Sequence, residues 1–261
     1  MKKLIVITSG KGGVGKTTTA INLGAAINSF KKDVLVIDAN LSTPNIGIHL
    51  NSPEVPINLN HVLLGKAEAF EAVYVHESGM KIMPASLSIK ELKKMKPEKI
   101  KDFKNDFKKL SDYVILDCAA GLGNEALSVM GLADELIIVT NPEMPAITDA
   151  LKTIKLAEMM KKTVKGVIMT RVKGNGIEMQ PNAVKDMLEV PILGMIPEDI
   201  HIQKALSSRN AVVYLYPKSN PSRAYKEIAA RILNIEYDSN KDKEKIFARL
   251  MRTLKFKVNP K

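Results

Sequence analysis

Four glycines fall within eight positions near the start of this sequence, in Gly10-Lys11-Gly12-Gly13-Val14-Gly15-Lys16-Thr17. Neither a strand nor a helix tolerates that density of glycine in its interior. The segment is therefore a loop, and its flanks fix what it joins. Before it, Lys3-Leu4-Ile5-Val6-Ile7-Thr8 reads as a buried strand; after it, a helix is expected from about Lys16 to Phe30. Strand, loop and helix in this order, with the spacing G-x-x-x-x-G-K-[ST], form the context in which such a loop cradles phosphate. The glycines let successive N–H groups face one concavity without Cβ obstruction. The helix N-terminus adds positive dipole character there. Lys16 is expected to reach β- and γ-phosphates, and the Thr17 hydroxyl to ligate Mg²⁺.

Downstream, short apolar runs alternate with helical stretches. Asp33–Asp38, Lys81–Pro84, Tyr113–Asp117, Glu135–Thr140, Val164–Thr170 and Pro191–Ile196 read as strands. Helices are expected near 97–110, 123–132, 145–161, 181–188 and 222–233. Continuously apolar strands separated by helices predict an α/β fold: a three-layer, doubly wound, mostly parallel sheet of the P-loop NTPase type. Ligands in such sheets sit at the carboxyl ends of the strands.

Composition excludes several alternatives. With 261 residues, 45% hydrophobic and 26% charged, the chain can bury a large core, and wholesale disorder is excluded. No apolar run is long enough to span a bilayer, and the first residues do not form a signal-peptide pattern, so the cell interior is the expected location. A single cysteine, Cys118, excludes an intrachain disulfide framework, and beside Asp117 it reads as a small buried residue. The four histidines, His49, His61, His76 and His201, show no metal-ligand spacing and are expected to be surface or satisfied. The net charge of +11 is concentrated in two segments. Residues 90–109 hold nine lysines against four acidic residues, and residues 241–261 hold eight Lys/Arg against two. The first is expected to be a solvated helix face.

Gly-Lys-Gly-Gly-Val-Gly-Lys-Thr-Thr, residues 10–18, resembles the deviant Walker A box of the MinD/ParA family of P-loop ATPases. Val36-Ile37-Asp38-Ala39-Asn40-Leu41-Ser42-Thr43-Pro44-Asn45 looks like that family's first switch segment, and Leu116-Asp117-Cys118-Ala119-Ala120-Gly121 like its Walker B strand and second switch. Thr140-Asn141-Pro142-Glu143 and Ile196-Pro197-Glu198-Asp199 are similar to stretches of MinD proteins, so the resemblance spans about residues 1–235. It implies ATP and Mg²⁺ as ligands and an ATP-sandwiched homodimer. Lys11 would then reach the partner subunit's nucleotide, as an arginine finger does. Asp38 and Asp117 would sit near Mg²⁺ with Thr17, and Gly10 through Thr18 would hold the phosphates. Thr170-Arg171 and Pro197-Glu198 would flank the base.

Two departures bear on chemistry. MinD proteins usually carry Asp-x-Asp in the first switch; here the second position is Asn40. An amide hydrogen-bonds water but accepts no proton at neutral pH, so hydrolysis is expected to be slow. If the missing carboxylate limits turnover, Asn40→Asp raises it. Ala119 stands where the family has proline, which predicts a less rigid second switch.

The chain divides into an ATPase domain, residues 1–236, and a linker with a basic amphipathic tail, residues 237–261. On a helical wheel Ile246, Phe247, Leu250, Met251 and Leu254 fall on one face, and Lys245, Arg249, Arg252 and Lys255 on the other. Such a helix can lie in an anionic membrane interface, and two on one dimer bind far better than one. MinD proteins end in a helix of this kind. The resemblance therefore implies a dimerising ATPase at the inner face of the cell membrane that positions a cell-division or other assembly with an unidentified partner or activator. Two alternatives stay open: a ParA-like DNA-partitioning ATPase, and an ATP-binding scaffold with little hydrolysis. The tail itself could bind lipid, DNA or the chain's own core; the apolar stripe at the end of a linker argues for lipid, and sequence-specific nucleic-acid binding is not expected.

Overall fold

The computed structural model describes residues 2–52 and 54–237. The tail residues named above, from Ile246 to Leu254, lie outside them. Eight strands form one sheet: β1 (Lys3–Ser9), β2 (Val34–Ala39), β3 (Tyr74–Val75), β4 (Lys81–Met83), β5 (Tyr113–Ala120), β6 (Glu135–Thr140), β7 (Val164–Val172) and β8 (Ile192–Pro197). Their order is β3-β4-β2-β5-β1-β6-β7-β8. Every pairing is parallel except β3 with β4. The helices are α1 (Lys16–Ser29), α2 (Ile46–His49), α3 (Leu59–Leu63), α4 (Ile89–Leu92), α5 (Lys104–Leu110), α6 (Asn124–Met130), α7 (Met144–Met159), α8 (Pro181–Leu188), α9 (Ile200–Ser207), α10 (Val212–Leu215) and α11 (Asn220–Leu233).

Strand alternation sorts the core into two layers. Ile5 and Ile7 of β1 pack with α1, α10 and α11 on one face. Leu4 and Val6 pack with α3, α5 and α6 on the other. A third cluster closes α7 and α8 over β6 and β7. Burial on both faces explains why the central strands read as continuous apolar runs. The strand order places β1 between β5 and β6, so the loop after β1 opens at the carboxyl edge between Asp117 and Thr140.

The expected helix over 97–110 is two pieces. Residues Pro97–Phe103 are 3₁₀, and only Lys104–Leu110 is α-helical. Ile100 is fully buried and Phe103 packs against the same cluster, a spacing of three that suits three residues per turn. The antiparallel β3 and the short helices α2, α3, α4, α9 and α10 carry no pattern long enough to be read from sequence. β5 runs on to Ala120, and Gly121 N–H donates to the Ser9 carbonyl at 2.9 Å. Position 119 thus lies within the strand, and the backbone just after it is bonded to β1.

Candidate nucleotide-binding site

The loop between β1 and α1 is fixed from behind. Gly15 caps α1 with φ 90°, a left-handed conformation that favours glycine. At Gly10, a Cβ would lie 2.3 Å from the Asp149 carbonyl oxygen, so α7 can approach only if this residue has no side chain. The Thr170 hydroxyl, at the end of β7, lies 2.6 Å from the Val14 carbonyl and 2.8 Å from Asn141 Oδ1. Thr170, expected near the base, therefore uses its hydroxyl to hold the loop's backbone while its side chain lines the adjoining cavity.

Lys16 is buried at the loop's base, and burial lowers its pKa against the opposing pull of Asp117. Asp38 and Asp117 are paired neighbours across β2 and β5, and both are fully buried. Asp38 is raised well above the usual carboxylate range by burial and by the Asp117 charge, although it accepts N–H bonds from Asn45 at 2.8 Å and Ile46 at 2.9 Å. Burial pushes Asp117 up to about 6, opposed by the Thr17 hydroxyl, which donates to its Oδ2 at 2.5 Å, and by Lys16. The other oxygen, Asp117 Oδ1, is buried without a hydrogen-bond partner. Two adjacent buried carboxylates, one with an orphaned oxygen, beside a threonine hydroxyl form a donor set suited to a hard divalent cation. Among the described residues no group of three His, Cys, Asp or Glu could hold a metal alone.

Asn40 is nearly buried at the groove's edge. Its Nδ2 donates to the Thr43 carbonyl at 2.7 Å, and its Oδ1 accepts from the Thr43 N–H at 3.3 Å and hydroxyl at 3.1 Å. Its amide thus ties the first switch segment to itself. Ser42 reaches across to Glu125 in the first turn of α6, through its N–H at 3.1 Å and its hydroxyl. The segments after β2 and β5 are therefore joined. Lys11 is exposed, and its ammonium forms no hydrogen bond or ion pair among the described residues.

Two cavities meet at the loop. A groove of about 350 Å³ is lined by Gly12, Lys16, Thr17, Asn40, Thr43 and His49. A second cavity, of about 340 Å³, is lined by Val14, Pro197, Glu198, Ile202, Gln203 and Leu206. Gly15, Thr18 and Arg171 belong to both. A phosphate chain in the first can thus continue into a base in the second. Sequence reasoning missed the α9 wall, whose start Asp199 marks by capping the His201 N–H at 2.8 Å. It also missed His49. The ring is not a satisfied histidine: Nδ1 is buried without a partner, and burial lowers its pKa. The available signal was its position one helical turn after Asn45. Cys118 is buried with its thiol pushed up to about 12 by burial, which makes it a poor nucleophile.

A doubly wound sheet with this loop, lysine, threonine and paired strand-end carboxylates defines a P-loop nucleotide-binding domain. The ParA family model, described as NUBPL iron-transfer P-loop NTPase, matches residues 1–233, and the chain belongs to this family. It is 38% identical to an uncharacterised ATP-binding protein of Methanocaldococcus jannaschii, over 92% of this chain and 91% of that protein. It is 33% identical to the septum site-determining protein MinD of Bacillus subtilis, covering 89% and 90% of the two chains. Among solved structures it resembles MinD of Pyrococcus horikoshii complexed with Mg-ADP, with a TM-score of 0.85 and 32% identity over 89% of this chain and 96% of that one.

Proposed function

We propose that this chain is an ATP-dependent dimerising switch ATPase of the MinD type. The carrying observation is the exposed Lys11, whose ammonium forms no hydrogen bond or ion pair among the described residues, on the same loop as the buried Lys16 that lines the groove. A lysine that serves its own site gains by being held; one that serves a facing subunit must project. In this reading the loop amides and Lys16 bind the phosphates, and the cavity lined by Arg171, Pro197, Glu198 and α9 takes the adenosine. Thr17, Asp38 and Asp117 would hold Mg²⁺, which would supply positive charge against the developing charge of the transferring phosphoryl group. Lys11 of each subunit adds positive charge to the other's transferring phosphoryl group.

The two switch segments then report the γ-phosphate. Asp38 holds the N–H groups of Asn45 and Ile46, and Ser42 holds Glu125, so a shift at the phosphate moves both segments together. Turnover is slow because Asn40 Oδ1 already accepts two bonds from Thr43 and its amide takes no proton.

Residues 237–261 form the linker and membrane tail of this reading. A dimer presents two weak amphipathic helices, which bind an anionic surface together through effective concentration. ATP-driven dimerisation thereby becomes reversible attachment at the inner face of the membrane, where the protein positions a division or other assembly. A solved MinC:MinD cell division complex of Aquifex aeolicus, with a chain 30% identical to this one, supports a protein partner for the assembled form. The test is co-sedimentation of the full chain with anionic liposomes in ATP–Mg²⁺ and ADP–Mg²⁺, beside a truncated chain ending at Asn240. ATP-dependent pelleting lost on truncation is expected. Absence of pelleting in both nucleotide states, or pelleting unchanged by truncation, refutes the membrane switch.

A further inference from the structure

The lysine-rich segment 90–109 is not one solvated helix face; the structure divides it. Toward its end three of the cations are consumed: Lys104 and Lys108 pair with Asp134 at 2.8 Å, and Lys109 with Asp106 at 2.9 Å. Toward its start they are not. Lys90, Lys93, Lys94, Lys96 and Lys99 are exposed, and their ammonium groups form no ion pair or hydrogen bond among the described residues. These five sit with Leu87 and Ile89, which are 48% and 70% exposed. From residue 86 to 99 the five lysines face two glutamates, of which Glu91 is occupied by His61 at 3.3 Å.

The patch has a definite place. β4 ends at Met83 on the carboxyl edge of the sheet, parallel to β2 and its Asp38. The next segment is anchored there by the Ser86 N–H, which donates to Asn60 Oδ1 at 3.0 Å. Between it and the first switch segment runs a groove of about 200 Å³, with Leu41, Pro44 and Asn45 on one wall and Leu87, Ile89 and Leu92 on the other. One wall is thus fixed and the other belongs to the segment that Asp38 holds through Asn45 and Ile46.

Charge decides what can cover this surface. The chain's own tail, with eight basic residues against two acidic, is repelled, and so is the same basic patch of a second copy. Residues 86–99 contain neither arginine nor an aromatic ring, so the patch lacks the stacking groups that single strands of nucleic acid use, and its two apolar tips would face phosphate unmatched. The chain leaves the described structure at Tyr237, which packs edge-on against Phe30 at 5.4 Å. Phe30 ends α1 at the amino edge of the sheet, so the described chain finishes on the edge away from the patch.

We propose that this surface docks an acidic segment of a partner protein that inserts a leucine-type side chain into the groove between Ile89 and Pro44. The docking itself goes beyond the nucleotide reading; its dependence on nucleotide rests on that reading, because the movable wall is the first switch segment. The test is fluorescence anisotropy of a labelled synthetic peptide of glutamate pairs alternating with single leucines, titrated with the full chain in ATP–Mg²⁺ and in ADP–Mg²⁺. A peptide with lysine in place of glutamate, duplex DNA and phosphatidylglycerol vesicles serve as comparators. The triple variant Lys93→Glu, Lys94→Glu, Lys96→Glu is expected to weaken peptide binding by about tenfold or more. The double variant Leu87→Ser, Ile89→Ser is expected to weaken it several-fold, and both variants keep their ATP affinity and melting temperature. Peptide binding unchanged by charge reversal overturns the proposal. So does DNA or vesicle binding that falls on reversal while peptide binding does not, since it assigns the patch to nucleic acid or lipid. Equal peptide affinity in both nucleotide states, in protein shown to bind ATP, overturns the switch linkage. Failure to bind ATP overturns the proposed function instead and leaves the charge-reversal result to judge the surface.

Discussion

Asn40 and Thr43 are joined by three hydrogen bonds, with the Asn40 amide donating to the Thr43 carbonyl at 2.7 Å and accepting from its N–H and its hydroxyl. A carboxylate at position 40 could accept but not donate, and one oxygen would face a carbonyl. The Asn40→Asp variant therefore gains a proton acceptor beside the groove and loses a loop contact. Turnover is expected to rise several-fold, while stability falls by about 1 kcal/mol, lowering the melting point by roughly 2–4 °C. Phosphate release and a thermal melt read the two effects separately. Unchanged turnover in a variant that binds ATP would remove the missing carboxylate as the cause of slow hydrolysis.

Lys11 offers the opposite combination. It is exposed and its ammonium forms no hydrogen bond or ion pair among the described residues of its own chain, so Lys11→Ala should leave the melting point unmoved. Turnover should drop by on the order of 10³-fold, the scale of a finger residue acting in trans. Light scattering in ATP–Mg²⁺ should show loss of the dimer. A fall in melting point of the nucleotide-free protein would instead mark Lys11 as a structural residue.

The buried pair of carboxylates makes the nucleotide-free protein sensitive to pH. Both Asp38 and Asp117 have folded-state pKa values above their unfolded values, so the folded form binds more protons. Their contribution to stability is present below the ordinary carboxylate range and is lost as pH rises through the folded value, about 6 for Asp117. Stability from these groups should therefore decline between the ordinary aspartate range and neutrality. Added Mg²⁺–ATP should raise the melting point more at neutral pH than in mild acid. Asp117→Asn should stabilise the nucleotide-free protein at neutral pH by a few degrees and abolish the Mg²⁺-dependent gain. A melting point of that variant below the parent's would contradict the charge argument.

Gly10 is a packing position as well as a loop position. A methyl group there would sit 2.3 Å from the Asp149 carbonyl oxygen, against backbone rather than a movable side chain. Gly10→Ala should cost about 1–3 kcal/mol or more through displacement of α7. Denaturant unfolding would measure it. A variant as stable as the parent would mean that α7 can retreat freely.

Much of the fold was legible because its determinants are local. The glycine loop cannot be strand or helix, and strands buried on both faces must be apolar throughout, so β1, β2, β5, β6 and β7 announce themselves. The α9 wall of the base cavity did not, because an eight-residue helix with one buried residue has almost no periodic signal. His49 was likewise hidden. Its surroundings come from α2, a four-residue helix that Asp38 caps from the end of β2.

The sequence alone determined the chemistry of the loop, since Gly10 to Thr17 are contiguous and their spacing dictates how the backbone N–H groups converge. It also determined the sheet's class, since apolar runs report burial on both faces. Tertiary structure decided what depends on pairing between strands far apart in the chain. Only the β2–β5 register sets Asp38 beside Asp117 and leaves one oxygen unpaired. Only the return of the chain after β4 divides the lysines into a paired set near Asp134 and an unpaired set beside the first switch segment. Spacing along the chain cannot encode that division, because each ion pair depends on which carboxylate the fold brings within reach.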